Sequence, residues 1–425
     1  MTDFRSDFLR ESQARGYLYQ GSDLESLDAQ LCAGPVVAYI GFDATATSLH
    51  VGNLVQIMRL RLLQRTGHKP IVLMGDGTTR VGDPSGKDTQ RQLLSEEQIE
   101  RNIAGIEKIF ARYLDFNDGP TGAIMLRNYA WLKDLNYLEF LRDYGKHFSV
   151  NRMLSFESVK TRLDRDQPLS FLEFNYMILQ AYDFLELNRT HNCTMQMGGS
   201  DQWGNILNGV ELIRRVEGKD AFAVTAPLIT TADGKKMGKT AQGAVWLNAD
   251  MLSTFDYWQF WRNTHDADVG RFMRLFTDLP LAEIEKMEKL QGAELNAAKM
   301  ILADEATRLC HGDTAVTEAR TAAERLFAGG SQNLAILVET LPSITLTKAV
   351  LEQGVLLIDI LIQTGLAPTK SEARRLMRSN AIRLNDQAVD DELRKLTLGD
   401  LLPEQPLIKL SAGKKRHALV KLSAE

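Results

Sequence analysis

The chain has 425 residues and a formal net charge of −5, with 44% hydrophobic and 25% charged residues, an ordinary globular composition that excludes a disordered, fibrous or disulfide-stapled protein. Cys32, Cys193 and Cys310 lie far apart without a metal-ligand spacing, which points to thiols in a reducing compartment. No apolar run approaches the roughly 20 residues of a membrane span. The start, MTDFRSDFLRESQARG, has acidic residues where a secretory signal needs a basic segment, so a cytoplasmic protein of two or three domains is expected.

Residues 1–35 read as an amphipathic helix (Phe4, Phe8, Leu9) and a connector. Val36–Ile40 predicts a short buried parallel strand ended by Gly41. Asp43–Ser48 are small and polar, and apolar residues recur at helical spacing from Leu49 through Val51, Leu54, Ile57, Met58 and Leu62. A helix is therefore expected from Ser48 as its N-cap. His50 and Asn53 then share the first turn, where free backbone N–H groups and the helix dipole favour an anion. On this stretch alone, a capped helix with two surface polar residues fits as well. Pro70–Gly75 reads as a second strand, followed by GDGTTRVGDPSGK, where four glycines and Pro84 let backbone approach a ligand beside Asp83. Strand, helix and strand with glycine-rich exits begin a doubly wound sheet, whose ligands bind beyond the carboxyl ends of the strands.

Helical spacing returns over residues 95–110, a third strand candidate covers Ala123–Leu126, and 128–148 reads as helix again, serving packing and surface. The next helix, expected over Ser170–Leu187, puts Tyr176, Gln180 and Asp183 at i, i+4 and i+7 on one face of an otherwise apolar element. An exposed stripe or a pocket wall would both give this pattern. A strand candidate at Cys193–Met197 leads into GGSDQWGN (198–205) and a further helix; there Gly198 and Gly199 remove side chains, and Asp201 can accept from hydroxyls. Ala226–Ile229 then precedes TADGKKMGKT, a basic loop whose Lys236 and Lys239 are mobile point charges.

Taken in order, HVGN, GGSDQWGN and KMGKT resemble the two signature motifs and the nucleoside loop of class I aminoacyl-tRNA synthetases of the bacterial tyrosyl type, over nearly the whole chain. The resemblance implies a Rossmann-like doubly wound parallel α/β domain over 1–246. It also implies an α-helical anticodon-side domain over 247–327 and a small α+β S4-like RNA-binding domain over 348–425, while Gly329–Gly330–Ser331 read as part of a linker over 328–347. ATP would serve as substrate with Mg²⁺ and no protein metal site; L-tyrosine and tRNA(Tyr) would be the other partners of a homodimer away from membranes. By the same resemblance Tyr176, Gln180 and Asp83 hold the tyrosine ammonium, Asp183 and Tyr39 its phenol, and Gln202 its carboxyl group. ATP would contact Gly41, Asp43, Thr45, His50, Gly52, Asn53, Gly199, Asp201, Lys236 and Lys239. Charge on the phosphates would be met by Thr45, His50, Lys236, Lys239 and Thr240. Asn53 stands where the family often has a second histidine, and Ala44 where it often has proline. A tryptophanyl enzyme, a nucleotidyltransferase with the same first motif and a non-catalytic RNA-binding paralogue are the alternatives.

From Lys348 onward there are 13 Lys and Arg against 10 Asp and Glu, a net +3, which leaves −8 on the rest of the chain. A helix over 371–380 carries Arg374, Arg375 and Arg378, and AIRLNDQAV reads as a hairpin turning at Asn385–Asp386. With Lys414, Lys415 and Arg416 these form a candidate phosphate-backbone footprint; a small solvated α+β domain is the plainer alternative.

Overall fold

A computed structural model describes residues 3–85, 93–232, 234, 237–240, 243–327, 341–402, 406–413 and 416–423. The chain forms two compact units: Met1–Gly238 with Trp246–Met251 and Trp261–Cys310, and Lys239–Val245 with Leu252–Phe260 and His311–Glu425.

The first unit is built on six strands: β1 (Gln20–Gly21), β2 (Val37–Phe42), β3 (Lys69–Met74), β4 (Ile124–Arg127), β5 (Cys193–Gly199) and β6 (Phe222–Ala226). Their order is β1-β6-β5-β2-β3-β4, and every pairing is parallel except that of the two-residue β1 with β6. Strands β3, β5 and β6 are buried at nearly every residue, as a parallel sheet covered on both faces requires. From β2 the chain winds outward through β3 and β4, then returns to the other side of β2 as β5 and β6, so the winding reverses between β2 and β5. Pairing between these two is irregular at Val37/Ala38 and its last partners are Tyr39 and Gln196. Pairing of β2 with β3 continues to Phe42 and Met74, and that of β5 with β6 to Gly199 and Ala226. The carboxyl ends of β2 and β5 therefore part company, and a crevice opens at the reversal.

Three local expectations change. Strand β2 runs past Gly41 because Gly41 and Phe42 still pair with Leu73 and Met74. The following helix is Val51–Arg65, and its N-cap is His50, not Ser48. The Ser48 hydroxyl instead donates to Leu49 O and accepts from Asn248 N, while His50 and Asn53 cap the helix reciprocally. The stretch 128–148 is broken into Tyr129–Leu132, Tyr137–Asp143 and a 3₁₀ turn at Gly145–His147, with Asn136 capping the middle piece. The long helix is Phe171–His191; Ser170 accepts from Glu173 N, and Glu173 in turn accepts from Ser170 N. The helical part of this unit packs Trp261 against Phe272 and Phe276, and buried Arg15 ties it to the first helix by donating to the carbonyls of Arg274, Thr277 and Leu279.

The second unit has a mixed five-stranded sheet in the order Gln387–Ala388, Ile382–Leu384, Leu407–Ala412, Arg416–Leu422 and Ser343–Leu346, the last pair parallel. Ser343–Leu346 lies inside the stretch expected as linker, and 328–340 falls outside the described residues. Leu357, Ile360, Leu361, Met377, Ile408, Leu410 and Val420 form its core. The hairpin turns where expected: Asn385 and Asp386 both have positive φ, 47° and 69°, the pair of left-handed residues that a two-residue turn joining twisted strands needs.

Candidate active site

The crevice at the carboxyl ends of β2 and β5 is a cleft of about 320 Å³. Tyr39, Gly41, Asp43 and Thr45 line it from β2 and its exit, Gly52 and Asn53 from the first turn of the following helix, Asp83 from the glycine-rich loop, Tyr176, Gln180 and Asp183 from the long helix, and Gly199, Asp201 and Gln202 from β5 and its exit. Sequence-distant candidates thus converge on one site.

At one end Asp183 is buried, its carboxylate accepting from Asn128 Nδ2 at 2.9 Å and from Trp131 Nε1 at 2.8 Å. Burial pushes its pKa up to about 7, against the lowering pull of these two donors. Tyr39 is also buried, and its hydroxyl has no hydrogen-bond partner among the described residues; burial and the neighbouring Asp183 raise its pKa well above the usual range. An orphaned phenol beside a carboxylate, both lining an open cleft, suits a ligand that brings one hydroxyl.

Further along, the Tyr176 hydroxyl donates to Asp43 Oδ2 at 3.0 Å, and Thr78 Oγ1 donates to Asp43 Oδ1 at 2.8 Å. Asp43 is therefore tied to the Tyr176 end of the cleft and not only to the helix start. Gln202 Nε2 donates to Asp83 Oδ2 at 2.9 Å, while Asn205 Nδ2 donates to both Gln180 Oε1 (3.1 Å) and Gln202 Oε1 (3.2 Å). Asp43, Asp83 and the carbonyl oxygen of Gln180 give this stretch an acceptor-rich wall, complementary to an ammonium group.

At the helix start, His50 Nδ1 accepts from Gly52 N at 3.0 Å. That bond makes Nδ1 an acceptor at the helix N-terminus, where an anion is favoured, while His50 itself is not among the described residues that line the cleft. The second signature meets the first here: a methyl group on Gly238 would lie 2.7 Å from Gly52 N and 3.2 Å from His50 Nδ1, and one on Gly52 would lie 3.0 Å from Met237 O. Only glycine permits this approach, and Gly238 also has φ +82°. Lys236 lies outside the described residues. For Lys239 and Thr240 the backbone alone is described, as a two-residue ribbon with Gly243–Ala244.

Sequence reasoning missed Asn128 and Trp131, which orient Asp183, along with Thr78, Asn205, Gln56 and Gln196. Asn128 and Trp131 stand three apart in a stretch that reads as packing, and nothing local distinguishes them. In the second unit Arg374 and Arg378 both pair with Glu392, at 3.5 and 2.5 Å, Arg375 pairs with Glu372 at 2.6 Å, and Arg416 donates to Leu366 O at 2.9 Å. The expected cationic footprint is thus partly neutralised by its own carboxylates. Lys414 and Lys415 lie outside the described residues.

Residues 32–328 match the family of class I tRNA synthetases (W and Y), so the crevice and its two signatures are those of a class I tRNA synthetase, and the chain belongs to that family. Residues 333–420 match the tyrosine–tRNA ligase SYY-like C-terminal domain. Over 420 residues the chain is 58% identical to the tyrosine–tRNA ligase of Caulobacter vibrioides, covering 99% of each protein. Over 422 residues it is 57% identical to that of Rhodospirillum rubrum, again covering 99% of each. A C-terminally truncated mitochondrial tyrosyl-tRNA synthetase of Aspergillus nidulans superposes with a TM-score of 0.69 at 30% identity, over 76% of this chain and 95% of that one. Within the family, the chain is one of the tyrosine–tRNA ligases. The tryptophanyl, nucleotidyltransferase and non-catalytic alternatives fall with that assignment.

Proposed function

We propose that the cleft activates L-tyrosine with ATP and then passes the tyrosyl group to the 3′ end of tRNA(Tyr). The observation that carries the orientation is the buried Asp183 beside the unpartnered Tyr39 hydroxyl. The substrate phenol donates to Asp183 and accepts from Tyr39. Phenylalanine would leave the Tyr39 hydroxyl unpaired and give Asp183 no donor beyond Asn128 and Trp131, the relation for which tyrosyl-tRNA synthetases are themselves the standard example. The ammonium lies among Tyr176, Gln180 and Asp83, and Gln202 reaches the carboxylate. The nucleoside runs along Gly41, Gly199 and Asp201, and the phosphates lie over Gly52, Asn53 and the His50 helix start.

In the first step a carboxylate oxygen of tyrosine attacks the α-phosphorus and pyrophosphate leaves, with no covalent enzyme intermediate. Thr45, His50, Lys236, Lys239 and Thr240 stabilise the charge that develops on the phosphates, and Asp43 completes the ATP contacts. MgATP is the form of the nucleotide used. In the second step a ribose hydroxyl of the tRNA terminus attacks the tyrosyl carbonyl and AMP leaves.

We further propose the division into a catalytic domain (1–246), a helical anticodon-side domain (247–327), a linker and an S4-like RNA-binding domain, with the strand Ser343–Leu346 moved from the expected linker (328–347) into the domain expected over 348–425 because it pairs with Arg416–Leu422. Tyr137, Leu138, Val150 and Phe171, large apolar residues left exposed on the helices of the first unit, support a homodimer. No helix among the described residues is long and apolar enough to cross a membrane, and the free thiols of Cys32, Cys193 and Cys310 support a reducing, cytoplasmic compartment. The test is ATP–pyrophosphate exchange with each amino acid in turn and no tRNA. Exchange with tyrosine alone supports the pocket; exchange with phenylalanine at a comparable rate refutes the Tyr39–Asp183 assignment. Sedimentation at micromolar concentration checks the dimer.

A further inference from the structure

Arg59 lies on the helix that His50 begins and is 1% exposed. Its guanidinium spans three neutral acceptors: Nη1 donates to Gly198 O at 2.8 Å and to Gln56 Oε1 at 2.9 Å, and Nη2 donates to Val224 O at 2.9 Å. Among the described residues none of its hydrogen bonds goes to a carboxylate, and Nε has no partner. A cation buried without a counter-charge is unfavourable for folding, and a tether between helix and sheet could be made by uncharged groups. Arginine brings a rigid planar fork that reaches several acceptors at once. Two of these lie on neighbouring strands, Gly198 near the carboxyl end of β5 and Val224 in the middle of β6, since Met197 pairs with Val224 and Gly198 with Thr225.

The third acceptor bears on the ligand. Gln56 lines the cleft, one turn beyond Asn53 on the same helix face. A guanidinium has only donors, so Gln56 must present its oxygen to Arg59. Its amide NH₂ is thereby turned away from Arg59, and the residue lines the cleft. We infer that Arg59 is a positioning residue for the nucleotide side of the cleft: it fixes the Gly198 carbonyl and locks Gln56 with its NH₂ as a donor to an oxygen of the bound nucleotide. This rests on the placement of the nucleotide along Gly199 and Asp201.

Steady-state ATP–pyrophosphate exchange on the full chain, varying ATP at saturating tyrosine and tyrosine at saturating ATP, tests it alongside thermal unfolding. Gln56→Glu leaves Arg59 an acceptor, now charged, but puts an anionic oxygen where the NH₂ stood. Its melting temperature should equal or exceed that of the unaltered chain, while KM for ATP rises about tenfold and KM for tyrosine stays put. Arg59→Met should raise KM for ATP to a similar extent, Arg59→Lys should restore part of the loss, and adding Gln56→Ala to Arg59→Met should change little more, because both act through one donor. Multiplicative effects of the two substitutions, or equal rises in both KM values, overturn the inference. If Arg59→Met does not fold, Gln56→Glu decides alone, and an unchanged KM for ATP refutes the role. Absence of exchange by the unaltered chain would instead refute the placement of both substrates in the cleft.

Discussion

Asn128 donates its side-chain N–H to Asp183 Oδ2 at 2.9 Å, and the same Nδ2 reaches Thr78 Oγ1 at 3.1 Å. Asn128 is itself held by Gly77 N, which donates to its Oδ1 at 2.8 Å, while Asp76 accepts from Tyr129 N at 2.8 Å and from Arg127 Nε at 2.9 Å. The loop after β3 and the residues after β4 thus fix the plane of a carboxylate on a helix far away in sequence. Asn128→Ala leaves Asp183 with one donor fewer, which disfavours its ionised form. Tyrosine should bind about tenfold more weakly at neutral pH, as for loss of a hydrogen bond to a charged group. Phenylalanine, which makes no bond to Asp183, should change little. Relative kcat/KM values for the two amino acids measure this, and an unaltered ratio would count against the pocket.

The pH dependence of tyrosine binding follows from Asp183, whose pKa burial raises from 3.8 to about 7. In the empty site it holds a proton below about pH 7, and the phenol donates best to the ionised form. Affinity should therefore rise between pH 6 and pH 8 and be flat in Asp183→Asn. Stability has the opposite sign: the native state keeps a proton that the unfolded chain releases near pH 4, so this group's contribution is fully present below about pH 4 and is lost as pH rises through about 7. Asp183→Asn should gain in relative melting temperature at pH 8 while losing tyrosine affinity. Calorimetric titration and thermal scans at both pH values separate the two effects.

His50 caps its helix through Nδ1 and, in the proposed mechanism, meets the phosphates through Nε2, and substitutions can divide the two roles. His50→Ala removes the cap at Gly52 N and should cost about 1 kcal/mol of stability, whereas His50→Asn retains a capping oxygen. Both lose the Nε2 donor, so adenylate formation should slow by about 10²–10³ in each, the scale for one lost oxyanion donor. Equilibrium tyrosine binding should be nearly unchanged. A large loss of tyrosine affinity in either variant would contradict the assignment.

Gly238→Ala tests the contact between the two signatures. The added methyl meets Gly52 N at 2.7 Å on a backbone with φ +82°, so the second signature must withdraw from the first turn. The strain is about 1–3 kcal/mol. The rate of adenylate formation should fall while tyrosine binding without ATP stays constant; stopped-flow adenylation beside equilibrium dialysis reads both.

In the second unit Glu392 holds Arg374 and Arg378. If these arginines meet a phosphate backbone, Glu392→Gln should tighten tRNA binding several-fold at low salt and steepen the fall of affinity with salt, because more cations are released to phosphates. Filter binding across a salt series gives both numbers, and an unchanged slope would remove the helix from the footprint.

Part of the cleft lining was legible in the sequence. Tyr176, Gln180 and Asp183 share a face because helical spacing demands it, and the hairpin at Asn385–Asp386 follows from residues that tolerate positive φ. What was not legible has identifiable causes. Ser48 and His50 both offer a capping group, and the choice fell to His50 because Ser48 is engaged by Asn248, 200 residues away. Asn128 and Trp131 look like packing until the sheet brings β4 beside β3.

The sequence by itself determined the strands and helices that flank the cleft and, through ordered short motifs, the family of the reaction. Those features depend on side-chain period, capping and turn chemistry between near neighbours. The tertiary structure alone decided that β2 and β5 separate beyond Tyr39 and Gln196, that Gly238 lies against Gly52, and that Asn128, Trp131 and Arg59 orient groups around the cleft. These are contacts between residues distant along the chain. Their register is set by strand pairing and core packing, which no local pattern encodes.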